Sequence, residues 1–196
     1  MDSQLNFKDH VSNLKNKLRQ TLRSFYFLRK ICNPEFLKSL YYALVDSHLQ
    51  YGLICWGGIY LANIKPVIVI QKAVLKIMNY LPSTTPSFTL FLKYKILPLR
   101  YLYVFKVLKL YYLRSGNRNT NVGIVGPYGL RNKHRNHIPQ PNKEHFKRNF
   151  VYIAPKLYSQ IPTHIIDAVT FKDFCCSLKE WLFTINDIES LFKTIS

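Results

Sequence analysis

The sequence predicts a mainly α-helical fold, in which a bundle of about five helices is followed by a long basic loop and a C-terminal helix. Two observations support this prediction. Apolar residues recur every three or four positions through most of residues 6–116, which is the period of an amphipathic helix. Residues 117–150 are instead rich in Gly, Pro, Asn and basic side chains, a composition typical of loops. A short β-hairpin around residues 122–130 is a further expectation within this loop.

The same change of composition divides the chain into three predicted regions. Residues 1–116 form a helical domain, residues 117–150 form the basic loop, and residues 151–196 form a helical segment that packs on the bundle. A length of 196 residues with 48% hydrophobic content suits one domain or a compact domain with an appendage, and it is sufficient for a hydrophobic core. The chain as a whole is therefore not predicted to be disordered.

The first predicted helix covers residues 6–31. Apolar residues form one stripe along it, and most of its basic residues lie off that stripe. The stripe consists of Phe7, Val11, Leu14, Leu18, Leu22, Phe25 and Leu28.

The second predicted helix contains the stretch SLYYALVDSHLQYGLICWGG, residues 39–58. Asn33 suits the N-cap, Pro34 suits the first turn, and Gly57 or Gly58 suits the left-handed residue that ends a helix. One long helix, buried on more than one face, is expected. His48 falls on its apolar face. We interpret it as a hydrogen-bonded core or boundary histidine, since a single histidine with no Cys or paired carboxylate beside it specifies no chemistry.

Five further helical segments follow from the same spacing. One lies in residues 63–81 with Pro66 early in it, and a short amphipathic segment lies in residues 86–99. A third helix begins after Pro98 and ends before residue 115. Residues 154–165 predict one helical turn, and residues 170–183 predict a helix that Thr170 and Asp173 cap.

Charge is the most informative property of the composition. The chain has 28 Lys and Arg against 10 Asp and Glu, a formal net charge of +18, and no carboxylate lies between Asp46 and Glu144. Such a basic region attracts a polyanion, with nucleic acid as the first choice and an anionic membrane surface as the second. A solubilising surface, or neutralisation by an acidic partner, is the alternative explanation.

We predict that basic residues of the middle region contact phosphates. Two pairs lie one helical turn apart, Lys72 with Lys76 and Lys106 with Lys109, so that each pair would follow one strand. Neighbouring Tyr and Phe residues could stack on single-stranded bases, although aromatic residues at helical spacing are more often core. The full set of candidates is Lys65, Lys72, Lys76, Lys106, Lys109, Arg114, Arg118, Arg131, Lys133, Arg135 and Lys143.

Catalytic and metal-binding patterns are not found in the sequence. Its few acids are scattered, whereas polymerases and nucleases hold metals with clustered carboxylates. His134, His137 and His145 could bind zinc in principle, but the surrounding lysines and arginines disfavour an added dication and favour phosphate. We therefore predict that the chain alone is not an enzyme and holds no metal or cofactor.

Cysteine spacing and hydropathy bear on the location of the protein. The four cysteines show no CxxC spacing, so that reduced thiols are expected. No apolar run approaches the roughly 18 residues of a membrane span, and the N-terminus lacks a signal-peptide pattern. An intracellular protein, nuclear or cytoplasmic and not secreted, is the expectation.

Several segments together resemble a known family. They are LNFKDHVSNLKNKL, FLKSLYYALVDSHLQYGLICWGG, VIVIQKAVLKIMN and FTLFLKYKILPLRYLYVFKVL. Their order is similar to the region downstream of the polymerase core in jockey-like non-LTR retrotransposon reverse transcriptases. APKLYSQIPTHI resembles the family's GPKLWNxLP stretch, and TFKDFCCSLKEWL resembles its FKxxLKxWL-type helix. The most specific residues are Leu40, Tyr41, His48, Leu49, Tyr51, Gly52, Trp56 and Gly57.

The resemblance implies a thumb and post-thumb region of an RNA-directed DNA polymerase, whose catalytic palm would lie before Met1. The stretch at residues 39–58 would then be a scaffold element. The implied partners are RNA or DNA, as template and primer, and the upstream polymerase domain. Ala154 replaces the family's Gly, and Tyr158 with Ser159 replaces Trp-Asn, which also fits an ageing element. The alternatives are a non-functional helical remnant of a decayed element and a basic module that binds a protein or a membrane surface.

Overall fold

The computed structural model describes residues 7–116, 146–185 and 187–193. These residues form helices and connecting turns, and no strand occurs among them, which confirms the mainly α prediction. The hairpin expected at residues 122–130 lies outside the described residues, as does nearly all of the predicted basic loop.

Eleven α-helices follow one another in the described part of the chain. A π-helical turn, Tyr42–Asp46, joins the second helix to the third, and a 3₁₀ turn, Phe146–Arg148, precedes the eighth. The helices are α1 Lys8–Leu28, α2 Pro34–Tyr41, α3 Ser47–Gln50, α4 Leu53–Trp56, α5 Leu61–Met78, α6 Phe88–Tyr94, α7 Leu99–Gly116, α8 Phe150–Tyr158, α9 Thr163–Ile166, α10 Phe171–Thr184 and α11 Glu189–Lys193.

The chain divides into two compact units, Met1–Tyr103 and Val104–Ser196. The division falls within α7, whereas composition suggested divisions at residues 116 and 150. That three-region division stays a prediction, since most of the loop on which it depends is not described.

The first unit is built around α1 and α5, which pack along each other. The apolar stripe predicted on α1 is buried at Val11, Leu14, Leu18 and Phe25. Its remaining members Phe7, Leu22 and Leu28 are half-buried. Helix α5 buries a matching face, consisting of Ile64, Val67, Ile70, Gln71, Val74, Leu75, Ile77 and Met78.

The segment from Asn33 to Gly58 begins as predicted. The Asn33 side chain accepts a hydrogen bond of 2.8 Å from the Phe36 N–H. The expectation of one long helix is wrong, because the backbone changes to a π-helical turn and then breaks after Gln50. Gly52 has the left-handed φ of 59° that was expected at Gly57 or Gly58.

The π-helical turn explains a second correction, which concerns His48. Because a π turn holds more residues than an α turn, it shifts the helix face that meets the core. The buried positions become Val45 and Leu49, and His48 is exposed. The interpretation of His48 as a core histidine is therefore wrong.

The second unit packs α8 and α10 against the C-terminal part of α7. The Tyr112 ring stacks on Phe174 with centroids 3.9 Å apart, and the Tyr111 ring lies 4.9 Å from that of Tyr158. Helix α8 is nine residues long, not the single turn that was predicted within residues 154–165. Thr170 caps α10 as predicted, since its hydroxyl accepts a 3.1 Å bond from the Asp173 N–H.

Candidate nucleic-acid interface

Two predicted phosphate contacts lie on the exposed face of α5. Lys65 and Lys72 are exposed, and Val69 is exposed between them. They are seven residues apart, which corresponds to about 10 Å along a helix axis, so that they lie on nearly the same side. Helix α5 carries no carboxylate, and no acidic residue follows it until Glu144. The two ammonium groups thus form a cationic stripe, which we call the α5 lysine face.

Lys76 lies on the same side of α5, but its ammonium group already has a hydrogen-bond acceptor within the protein. It is half-buried, and its Nζ donates a hydrogen bond to the Ser83 carbonyl oxygen in the turn that follows α5. Lys72 and Lys76 were predicted to follow one phosphate strand together. Of the two, only Lys72 is exposed, and Lys76 already donates to an acceptor within the protein.

Gln71 sets the orientation of the α5 lysine face. It has no exposed area. Its amide nitrogen donates to the Tyr41 hydroxyl at 2.9 Å and to the Leu97 carbonyl at 3.1 Å. Its amide oxygen accepts from the Leu99 N–H at 2.9 Å. A fully bonded buried amide fixes the rotation of the helix, because any turn about the axis would leave these groups without partners.

The candidates on α7 lie in the second unit. Lys106 and Lys109 are half-buried, and the Lys109 ammonium lies 5.4 Å from the centre of the Phe171 ring. Arg114 is exposed, with its guanidinium carbon 5.2 Å from the Phe150 ring. These aromatic contacts use part of each side chain for packing. The α7 pair is thus less open than the α5 lysine face.

The loop candidates lie outside the described residues. They are Arg118, Arg131, Lys133, Arg135 and Lys143. The three histidines considered for zinc, His134, His137 and His145, also lie there.

A basic and aromatic cluster that sequence reasoning missed lies at the C-terminal ends of α1 and α5. The guanidinium carbon of Arg29 lies 4.9 Å from the centre of the Tyr26 ring and 4.5 Å from that of Tyr80. We call these three residues the tyrosine–arginine stack. The spacing of Tyr26 and Arg29, three residues apart, was visible in the sequence. The contact between Arg29 and Tyr80, which are distant in sequence, was not.

Three hydroxyl or thiol groups have pKa values that the surrounding protein raises. Burial raises the pKa values of the Tyr41 and Tyr103 hydroxyls. Burial also raises the pKa of the Cys175 thiol, against a smaller lowering by Lys109. None of these environments activates a nucleophile, since a raised pKa keeps the proton on the oxygen or sulfur.

The described residues also hold no group of three His, Cys, Asp or Glu side chains suited to a metal ion. Among the described helices, none is both long enough and apolar enough for a bilayer crossing. The chain matches no protein-family model, no curated protein and no solved structure.

Proposed function

We propose that this chain is a nucleic-acid-binding domain that holds the phosphate backbone of RNA or DNA without reading base sequence. We further propose that it serves as the thumb and post-thumb region of an RNA-directed DNA polymerase of the jockey-like non-LTR retrotransposon type. The second statement rests on the resemblance of the segments quoted above, and the first rests on charge and exposure.

The α5 lysine face is the observation that carries the proposal. Exposed Lys65 and Lys72 are anchored on a helix whose rotation Gln71 fixes, in a chain with a formal charge of +18. Regularly spaced cations on a rigid element favour a regularly spaced anion, and the phosphates of a nucleic acid strand provide one. Such contacts position a strand but carry no sequence information.

The test is binding to a labelled duplex and a labelled single strand across a salt series. Changing Lys65 and Lys72 to Gln should lower the slope of log affinity against log salt by about one to two units, because each phosphate contact contributes about 0.9 on duplex DNA and about 0.7 on a single strand. The decrease should be similar for all base sequences.

A matched control removes the same number of charges elsewhere. Lys8 and Lys172 are exposed, and each has a carboxylate next to it in the sequence, Asp9 and Asp173. Changing both to Gln should alter the slope less than the α5 variant does. Equal effects of the two variants, or no submillimolar binding at low salt, would contradict the proposal and favour a helical remnant.

We also propose that the chain alone lacks polymerase activity. Its ten acidic residues are scattered, whereas two-metal phosphoryl transfer requires a carboxylate cluster. Purified protein should not extend a primer in the presence of Mg²⁺ or Mn²⁺. Extension that a point substitution within this chain abolishes would refute the proposal.

A further inference from the structure

We propose that the tyrosine–arginine stack is a docking surface for unpaired bases of single-stranded RNA or DNA. The inference rests on the proposed function, since it assumes that the chain binds nucleic acid through its phosphates. It adds a preference for strands whose bases are accessible.

The stack is built from the ends of two helices. Arg29 is half-buried, and its Nη1 donates to the Ile77 carbonyl at 3.4 Å, near the C-terminus of α5. The Tyr80 hydroxyl donates to the Arg29 carbonyl. A cation suits this place because the C-terminal end of a helix carries partial negative charge. Arg29 therefore holds both rings from within the structure.

Both tyrosine rings are nevertheless largely open to solvent. Tyr26 is 52% exposed and Tyr80 is 60% exposed. Each of the two residues therefore keeps more than half of its accessible area in water. The exposed ring surface is available to another flat, polarisable group.

The backbone of Tyr80 holds the residue in a defined turn at the end of α5. Helix α5 ends with the Leu81 N–H bonded to the Lys76 carbonyl at 3.0 Å, and with the Tyr80 N–H bonded to that of Ile77 at 3.2 Å. This is the Schellman pattern, which places Tyr80 at the position where Gly is usual. Tyr80 has φ of 56°, a left-handed conformation that L-residues other than Asn and Asp rarely adopt. Exposed Lys95 takes the same conformation at the end of α6, so this turn fixes the place of the Tyr80 ring without by itself indicating its role.

The chemistry of the stack favours bases over other flat groups. Base–aromatic stacking tolerates any sequence because every base has a π face, and a guanidinium adds a cation–π contribution. Exposed Lys30 follows Arg29 directly, and no carboxylate lies between Asp46 and Glu144. Bases within a duplex are already stacked on each other, so the surface should distinguish single strands from duplexes.

The experiment compares a 12-nucleotide thymidine strand with an abasic strand that has the same phosphates. Wild-type protein should bind the thymidine strand about five- to 150-fold more tightly, which corresponds to the usual stacking contribution of one base. Tyr80→Asn should remove most of that ratio, since Asn tolerates the left-handed conformation but has no ring. The salt slope should be unchanged.

Tyr51→Asn is the control variant. It removes a tyrosine of 76% exposure outside the stack and should keep the ratio. A second variant tests the stack itself. Tyr26→Ala lies at an exposed helical position, where Ala is well tolerated, and it should lower the ratio even if Tyr80→Asn fails to fold.

The outcomes separate this inference from the proposed function. A wild-type ratio near one, or a ratio unchanged by both Tyr80→Asn and Tyr26→Ala, would overturn the stacking surface while leaving phosphate binding intact. Failure of wild-type protein to bind thymidine, abasic and duplex probes alike would overturn both.

Discussion

Residues 34–58 and helix α5 are both long apolar stretches of the first unit that contain a few polar residues, yet they use those residues in different ways. In residues 34–58, Asp46 is buried and accepts a hydrogen bond from Gln50, while His48, two residues later, is exposed. In α5, Gln71 is buried and Lys72 beside it is exposed. Polar residues one or two positions apart therefore have separate roles, and burial decides which role each has.

The backbones of the two segments differ as well. Residues 34–58 change from α to π geometry and break at Gly52, whereas α5 continues without interruption for 18 residues. Only a regular helix keeps positions seven apart on nearly one side, which places exposed Lys65 and Lys72 together on α5. Both segments pack in the core, and α5 also carries exposed lysines.

The largest expected effect comes from the irregular segment. Trp56 is 1% exposed, and its indole N–H donates to the Tyr51 carbonyl at 2.8 Å. Trp56→Ala should lower the free energy of unfolding by about 3–5 kcal/mol, because it leaves a large cavity. Urea titration measures this, with exposed Tyr51→Ala as the control, which should stay within about 0.5 kcal/mol of wild type. An unchanged midpoint for Trp56→Ala would contradict the packing role of this segment.

Gly57→Ala tests the close packing beside that tryptophan. A Cβ at Gly57 would lie 2.4 Å from Cδ2 of the buried Tyr103 ring and 2.7 Å from the Leu53 carbonyl oxygen. Overpacking of this kind should cost about 1–3 kcal/mol. Gly52→Asn is the control, since Gly52 needs a left-handed conformation that Asn tolerates, and only a side-chain atom 3.8 Å away faces a Cβ there. Equal stability of Gly57→Ala and wild type would contradict the tight contact.

Gln71→Leu tests the buried amide that orients α5. It leaves the Leu97 carbonyl and the Leu99 N–H without this partner, which should cost about 1–3 kcal/mol. Tyr41→Phe removes one bond of the same network and should cost less. A double-mutant cycle measures the coupling between the two residues, and strict additivity would contradict a shared network.

A smaller effect should follow pH through His10, whose ring lies 5.5 Å from that of Trp56. Burial, with a smaller contribution from Lys17, lowers the pKa of His10 below its ordinary 6.5. Between the lowered pKa and 6.5 the unfolded chain binds more protons. The contribution of neutral His10 to the free energy of unfolding is therefore complete above about pH 6.5. It is lost as the pH falls through the pKa that His10 has in the folded chain. The free energy of unfolding, measured by urea titration at pH 7.5 and at pH 5, should decrease more for wild type than for His10→Gln. Equal decreases would contradict a lowered pKa of His10.

The smallest effect is expected at His48. Because its side chain is exposed, His48→Ala should change the free energy of unfolding by no more than about 0.5 kcal/mol. If urea titration showed that His48→Ala lowers the free energy of unfolding by about 2 kcal/mol or more, His48 would be a core residue, which would contradict the shifted helix face.

Local signals in the sequence determined most of the helices. The stripe on α1, the caps at Asn33 and Thr170, and the start of α7 after Pro98 all follow from side-chain chemistry within a few residues. Apolar period and capping are local properties, which is why they could be predicted without a structure. The net charge and the acid-free middle of the chain are likewise properties of the sequence alone.

Tertiary structure decided where that regularity is interrupted and which lysines remain open. The π-helical turn, the break at Gly52 and the exposure of His48 depend on how residues 34–58 meet the core, which no local spacing encodes. Lys72 and Lys76 look alike in sequence, but only Lys76 reaches a carbonyl in the following turn. Tyr80 is 51 residues from Arg29, and only the packing of α1 along α5 brings them together. Contacts between residues distant in sequence depend on the assembled core, so the tyrosine–arginine stack appears only in the folded chain.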